Sequence, residues 1–218
     1  MRVQPFIAGH FYHIYVHTVS GLMLFRDDYE RKRFLNVMFS ANGEMTLPRL
    51  DRSDDLNSVW GTRDGKIKLG KPLVKIVCFC LMPTHLHLLL GEIEDGNISR
   101  YMHRITVSFA KYLNLKRERR GHVFESKFHS KLLATNEYLL RASCYIHLNP
   151  KDVRGWHNRE HQYYWSSYQD YIGNNRWGRL LTSEPIFSQF KSGGDYKKFV
   201  EETRPEISEY ASDPNFIT

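Results

Sequence analysis

Several features are scarce or absent in this chain of 218 residues. It has three cysteines, Cys78, Cys80 and Cys144, without a CxxC pair, which argues against a disulfide framework and the usual zinc knuckle. No apolar run approaches the length of a membrane span, the first residues lack the apolar region of a secretory signal, and the Gly-rich P-loop pattern is missing. We therefore expect a reduced, cytoplasmic protein with no membrane partner and no P-loop nucleotide hydrolysis.

Positive charge, in contrast, is in excess. The 31 Lys and Arg residues outnumber the 24 Asp and Glu residues, and the net charge is +7 at pH 7. A basic balance favours a polyanionic partner such as nucleic acid, although many basic proteins bind none. With 41% hydrophobic residues, the chain is long enough for one well-buried domain with an appendage.

Hydrophobic periodicity predicts the order strand, helix, strand, strand, helix, strand, helix. The predicted strands cover residues 11–19, 73–81, 85–92 and 128–134, and the helices cover about 28–42, 99–119 and 136–148. This order is the split βαβ plan of an α+β, ferredoxin-like (RRM-like) fold, an antiparallel sheet with helices on one face. We expect a catalytic domain over residues 1–155, with 43–71 as an inserted loop, and a C-terminal extension and tail over 156–218.

The most informative local pattern is a histidine pair, His85 and His87, inside an apolar strand. Alternate side chains of a strand share a face, so both imidazoles point to one spot. Tyr145 and Asn149 lie one turn apart on a predicted helix and also share a face. The four residues suggest a divalent metal ion held by His85 and His87, with Asn149 as third ligand and Tyr145 as nucleophile. Without this context, such histidines are more often hydrogen-bonded core residues than ligands.

The sequence around the pair resembles the HUH motif of single-tyrosine transposases, in which two histidines flank a hydrophobic residue: Met82-Pro83-Thr84-His85-Leu86-His87-Leu88-Leu89. Further stretches resemble the REP-associated branch of that family, in the same order: Gly121-His122-Val123-Phe124, Lys127-Phe128, Tyr145-Ile146, Asn149-Pro150 and Trp165-Ser166-Ser167-Tyr168. The resemblance spans roughly residues 9–173. The chain departs from the pattern at Thr84, Phe124, Lys127 and His147, where asparagine, tryptophan, arginine and an acidic residue are usual.

The resemblance implies a metal-dependent endonuclease and strand transferase that acts on single-stranded or hairpin DNA of repetitive extragenic type. Tyr145 would form a covalent 5′-phosphotyrosine, with Mg²⁺ or Mn²⁺ as cofactor, and two imidazoles suit Mn²⁺ better on chemical grounds. We expect a cytoplasmic, nucleoid-associated location. We expect a monomer; in the alternative, a dimer, Tyr145 of one subunit meets His85 and His87 of the other.

Candidate DNA contacts are the basic residues of the second long helix and of the strand after it: Arg100, Arg104, Lys111, Lys116, Arg117, Arg119, Arg120, Lys127 and Lys131. Candidate stacking residues are Tyr12, Tyr15, Phe124 and Trp165. His13 and His17 share a face of the first strand and are candidates to line the site, although core or surface positions are commoner. Two other functions stay open, a noncatalytic nucleic-acid-binding domain on the same scaffold and a phosphodiesterase that activates water.

Overall fold

The chain forms an α+β fold around a four-stranded antiparallel sheet, whose strands come from runs of apolar residues and of alternating apolar and polar residues. The computed structural model describes residues 5–45, 56–125 and 127–207. The strands are β1 (Phe11–His17), β2 (Val74–Leu81), β3 (His85–Glu92) and β4 (His129–Leu132). The helices are α1 (Asp28–Ser40), α2 (Asn57–Arg63), α3 (Asn97–Lys116), α4 (Asn136–Leu148), α5 (Tyr168–Ile172), α6 (Glu184–Phe187) and α7 (Gly193–Thr203).

The strand order is β2-β3-β1-β4, so the histidine-bearing β3 lies inside the sheet between β2 and β1. In the antiparallel β1–β3 pair, Tyr15 lies opposite His87 and His17 lies opposite His85. Directly paired residues point to the same side of a sheet. One face therefore carries the aromatic and imidazole side chains of β1 and β3, and the other carries aliphatic side chains such as Leu88.

Helices cover both faces of this sheet. On the aliphatic face, Phe39 of α1 packs against Phe79, which pairs with Leu88, and α3 packs beside α1. On the other face, Tyr145 of α4 packs against His87. The prediction that helices occupy one face is therefore wrong. The physical reason lies in β2, where seven of eight residues are buried, so that both of its sides need a cover.

The helix that carries Tyr145 has defined ends. The Thr135 side chain accepts a hydrogen bond from the Tyr138 N–H and caps α4. The helix ends at Leu148, and a 3-10 helix (Asn149–Asp152) with Pro150 follows. Tyr145 and Asn149 therefore lie at the carboxyl end of α4, on its last turn and just beyond it.

Part of the segment predicted as an inserted loop is helical. Trp60 of α2 stacks on Trp177 with ring centroids 5.4 Å apart, and the Ser58 hydroxyl donates a hydrogen bond to the Asn36 side chain of α1. Residues 46–55 of the predicted loop lie outside the described residues, as does the tail 208–218. Residues after position 155 bury large side chains in the same core as the sheet: Tyr168, Tyr171, Trp177 and Tyr196. Within the described ranges, no helix is both long and apolar enough to cross a membrane.

Candidate active site

The two histidines of β3 project to one face, as predicted, with ring centroids 5.0 Å apart. His87 is buried, whereas His85 is partly exposed. Burial, reinforced by the neighbouring His17, lowers the pKa of His85 to about 4, and burial followed by the nearby imidazoles lowers the pKa of His87 well below its usual value. Both rings are therefore neutral at pH 7, the state in which imidazole nitrogen is a metal ligand.

Strand β1 adds two further imidazoles to this site. The Nε2 atom of His13 lies 2.9 Å from Nδ1 of His87, and the His17 ring stacks on His85 at 4.7 Å. With Nδ1 of His87 engaged by His13, the remaining nitrogen for a ligand is Nε2. The sequence named His13 and His17 only as residues that could line the site. The signal that places them there is their position on the polar side of β1, beside β3.

Tyr145 and Asn149 reach the same place from α4. The Tyr145 ring centroid lies 5.4 Å from that of His87 and 5.6 Å from that of His13. Burial raises the pKa of the Tyr145 phenol, and a hydrogen bond with Asn149 opposes that shift. The Asn149 side chain also acts on His85, where its hydrogen bond raises the pKa against the effect of burial. The predicted convergence of the histidine pair, the phenol and the amide is therefore observed, within a single chain.

The imidazoles of His85 and His87 fit a divalent cation only if the side-chain amide of Asn149 is a third ligand. In the described parts of the chain, no three His, Cys, Asp or Glu side chains are arranged to hold a metal ion. The amide nitrogen of Asn149 donates to the carbonyl oxygen of Tyr145 at 3.0 Å, so Oδ1, the acceptor of the hydrogen bond with His85, is the amide atom that a cation would have to engage. Two neutral imidazoles and one amide oxygen make an incomplete shell, with positions left for phosphate oxygens and water.

A buried hydrogen-bond network holds α4 above the histidines. Nδ1 of His147 lies 2.6 Å from the Tyr196 hydroxyl of α7, and its Nε2 lies 2.8 Å from Oγ of Ser167. Oγ of Ser167 in turn accepts a hydrogen bond from the Phe79 N–H of β2 at 2.9 Å. His147 is thus a fully buried link between α4, β2 and α7 and lies away from the metal-ligand candidates. The C-terminal extension fixes the helix that presents Tyr145.

The predicted DNA contacts on α3 and in the chain that follows it divide into two groups. Arg117 forms a buried ion pair with Glu30 at 2.7 Å, and Arg104 donates to the carbonyl oxygens of Ala41 and Gly43. The Arg117 side chain is buried in this ion pair, so its predicted DNA contact is wrong. Arg104 is partly exposed, and its DNA contact stays a prediction. Lys116 and Arg119 also make internal contacts. The second group, exposed at the surface, comprises Arg100, Lys111, Arg120 and Lys127.

Strand β4 extends the face that carries the histidines. Lys131 lies opposite His13 in the β1–β4 register and points to the same side, and His129 stacks on Tyr15 with ring centroids 4.7 Å apart. Lys131 is therefore the predicted cation that shares a face with Tyr145, whereas α3 lies on the other side of the sheet.

Three of the four predicted stacking residues are buried. Tyr12, Phe124 and Trp165 expose 5%, 7% and 7% of their surface. The prediction that these rings stack on bases is wrong, because they fill the hydrophobic core. Tyr15, at the histidine face, is partly exposed.

Comparison of the chain with known proteins finds similarity to a solved structure. No family model matches the chain, and no curated protein matches it. A solved structure of a REP-associated tyrosine transposase bound to a REP hairpin is similar, with a TM-score of 0.56 and 13% sequence identity. The match covers 88% of this chain and 96% of the other. At this identity, the likeness shows a shared fold and covers nearly the whole of the neighbour.

Proposed function

We propose that the chain is a ferredoxin-like HUH endonuclease and strand transferase, a transposase-type enzyme that cuts and rejoins single-stranded or hairpin DNA. The observation that carries the proposal is the meeting of Tyr145 with His85 and His87 on one face of the sheet. The strand order β2-β3-β1-β4 is that of a split βαβ sheet, and the neighbour of similar fold is a tyrosine transposase.

The reaction assigned to Tyr145 is a transesterification. The phenol oxygen attacks the phosphorus atom of a phosphodiester and forms a P–O bond to tyrosine, while the bond from phosphorus to O3′ breaks. The leaving oxygen takes the electron pair and a proton and becomes a free 3′-OH, and the downstream strand stays attached through its 5′-phosphate. A second 3′-OH that attacks the phosphotyrosine reverses the chemistry and joins strands. The phosphodiester energy is conserved, so no nucleoside triphosphate is consumed.

His85, His87 and Asn149 are the residues that would hold the divalent ion, Mg²⁺ or Mn²⁺. When bound, such an ion supplies Lewis-acid stabilisation of the charge that develops on the nonbridging oxygens. The neutral state of both imidazoles keeps them available as ligands. Asn149 hydrogen-bonds with Tyr145 and opposes the rise in the phenol pKa that burial causes, which favours the nucleophilic phenolate.

Charge and position support DNA as the substrate. The net charge is +7, and Lys131 lies on the face of the proposed reaction, where it can neutralise a phosphate near the cut bond. The neighbour of similar fold is bound to a REP hairpin, and we propose a hairpin with an adjoining single strand here as well.

The test is a denaturing gel with purified protein, Mn²⁺ and end-labelled hairpin oligonucleotides. The wild type is expected to give a labelled band that survives SDS and heat, and Tyr145→Phe is expected to give none. Tyr138→Phe, a change on the same helix two turns earlier, is the matched control and should keep the band. Cleavage without an adduct, unchanged in Tyr145→Phe, would establish the water-dependent phosphodiesterase instead. DNA binding without cleavage by the wild type would support the noncatalytic domain.

A further inference from the structure

A second concave site lies beyond the β2 edge of the sheet. It is a cleft of about 560 Å³ between the start of α1 and the chain that follows α4, within the size range of ligand pockets. Its walls combine aromatic and cationic side chains: Arg31, Lys32, Trp156, Tyr163, Tyr164 and Trp165. None of these residues belongs to the candidate active site.

The aromatic wall is rigid and partly open. Tyr164 is 40% exposed and meets Trp165 edge to face at 4.9 Å, and Trp156 meets Tyr163 in the same manner at 5.1 Å. The Tyr163 hydroxyl donates to the carbonyl oxygen of Leu81 at 2.9 Å, which fixes the wall to the end of β2. Tyr163 and Trp165 are buried behind the wall, so Tyr164 and Trp156 are its rings that are open to a ligand. Aromatic rings at a surface stack on nucleobases of any identity, because every base has a π face.

Positively charged side chains lie beside the aromatic rings of the cleft. The Arg31 guanidinium carbon lies 5.6 Å from the centre of the Trp165 ring, and Lys32 is exposed beside it. Two further guanidinium groups, of Arg159 and Arg176, lie over the rings of Trp156 and Tyr164. A base on the aromatic wall would bring its phosphate into a region of positive charge.

The carboxylate of Asp28 also lines the cleft, but it does not cancel the positive charge there. Asp28 pairs with Arg31 at 3.2 Å and offsets a single positive group. Arg176 pairs with Asp170 outside the cleft, so Lys32 and Arg159 are the cations that remain after these two ion pairs. The surplus charge at the cleft is positive.

The cleft is connected to the candidate active site through the sheet. The Leu81 N–H donates to the Trp165 carbonyl oxygen at 2.9 Å, and Ser166 forms a bridge to Cys80, the residue paired with His87. The backbone of this wall therefore lies about two strand spacings from β3, roughly 10 Å. A DNA strand that passes the histidines at this end of the sheet can reach the cleft.

We propose that the cleft binds one nucleotide of the single-stranded segment next to the cut bond, with its base on Tyr164 and Trp156 and its phosphate near Lys32 and Arg31. The inference rests on the proposed function, since it takes the same DNA strand as ligand. It assigns a binding role to the chain after α4, which the reaction itself does not use.

The experiment measures binding of a fluorescent single-stranded oligonucleotide by anisotropy, in a Tyr145→Phe background that prevents covalent attachment. Tyr164→Ala is expected to weaken binding roughly tenfold, because stacking on one base is lost, and Tyr164→Phe is expected to retain it. Lys32→Ala should weaken binding and reduce the slope of log K against log salt by about one. The control is Lys198→Ala on α7, whose side chain is 76% exposed and remote from the cleft residues in sequence.

Photocrosslinking locates the base. An oligonucleotide with 5-iodouracil at successive positions is expected to crosslink to Tyr164 or Trp156 from one position only. Unchanged affinity of Tyr164→Ala and Lys32→Ala, with crosslinks elsewhere, would overturn the cleft assignment and leave the proposed function standing. If the Tyr145→Phe protein binds no single-stranded DNA at all, the proposed function and the cleft assignment both fail.

Discussion

The hydrogen bond between His13 and His87 gives a prediction that tells whether His13 orients His87 as a metal ligand or only packs against it. The two rings are buried and their nitrogen atoms lie 2.9 Å apart. If His87 donates from Nδ1, its Nε2 carries the lone pair that a cation needs. Partners of this kind, hydrogen-bonded to a ligating histidine, contribute about 10- to 100-fold to metal affinity. His13→Leu removes the acceptor and keeps an apolar side chain of similar size in the strand.

We expect His13→Leu to weaken Mn²⁺ binding by that factor, about 1.4 to 2.7 kcal/mol. His13→Gln, whose amide oxygen can accept the same hydrogen bond, should recover most of the loss. The assay is an electron paramagnetic resonance titration of Mn²⁺ in the Tyr145→Phe background with a hairpin oligonucleotide present. Nitrogen-15 spectra of the metal-free proteins report the tautomer of His87 independently of metal.

The reasoning fails if His13→Leu binds Mn²⁺ within twofold of the parent and His87 keeps the same tautomer. A loss of affinity that His13→Gln does not restore, with the tautomer unchanged, would equally contradict it. A circular-dichroism melt of each variant shows that the comparison is made on folded protein. The unpaired His87 in the Leu variant should itself cost about 1–3 kcal/mol of stability.

Three further predictions concern stability and DNA affinity. Arg117→Ala removes the buried guanidinium partner of Glu30 and leaves the partly exposed Lys116 at 3.3 Å, so it should cost about 3 kcal/mol and lower Tm by about 6–12 °C; an unchanged Tm would refute the structural role. Arg100→Ala, at an exposed position of α3, should leave Tm unchanged and reduce the salt slope of DNA binding by about one; no change in slope would remove Arg100 from the interface. Burial lowers the pKa of His13 and of His147 to about 3, so below about pH 6.5 these histidines bind protons in the unfolded chain and stay neutral in the folded chain. Each therefore lowers the free energy of unfolding by about 1.4 kcal/mol per pH unit as the pH falls below about 6.5. A free energy of unfolding in urea that is constant from pH 7 to pH 5 would contradict this.

The elements that the sequence predicted well are those with strong local patterns. The histidine strand was predicted over 85–92 and is observed as His85–Glu92, and the helix predicted over 136–148 is observed as Asn136–Leu148. Strand alternation fixes which side chains share a face, so the common direction of His85 and His87 followed from spacing alone. The position of Tyr145 above them did not, because periodicity cannot tell which face of a sheet a helix will cover.

Other parts depended on contacts far apart in sequence. Arg117 has the spacing of a solvent-facing cation, yet its partner Glu30 lies 87 residues earlier and draws it into the fold. Helix α7 was not predicted, since it begins with two glycines and has few apolar residues. Tyr196 is buried there because its hydroxyl meets His147 on α4. Only the folded chain shows that the C-terminal extension supports the helix of Tyr145.

The measurement that tests the central claim most directly is mass spectrometry of the covalent product. Protein incubated with Mn²⁺ and a hairpin oligonucleotide is digested with nuclease and protease, and the peptide that retains a nucleotide is sequenced. The account predicts a 5′-phosphate ester on the hydroxyl of Tyr145 and a free 3′-OH on the released strand. A nucleotide attached to any other residue, or through a 3′-phosphate, would contradict it.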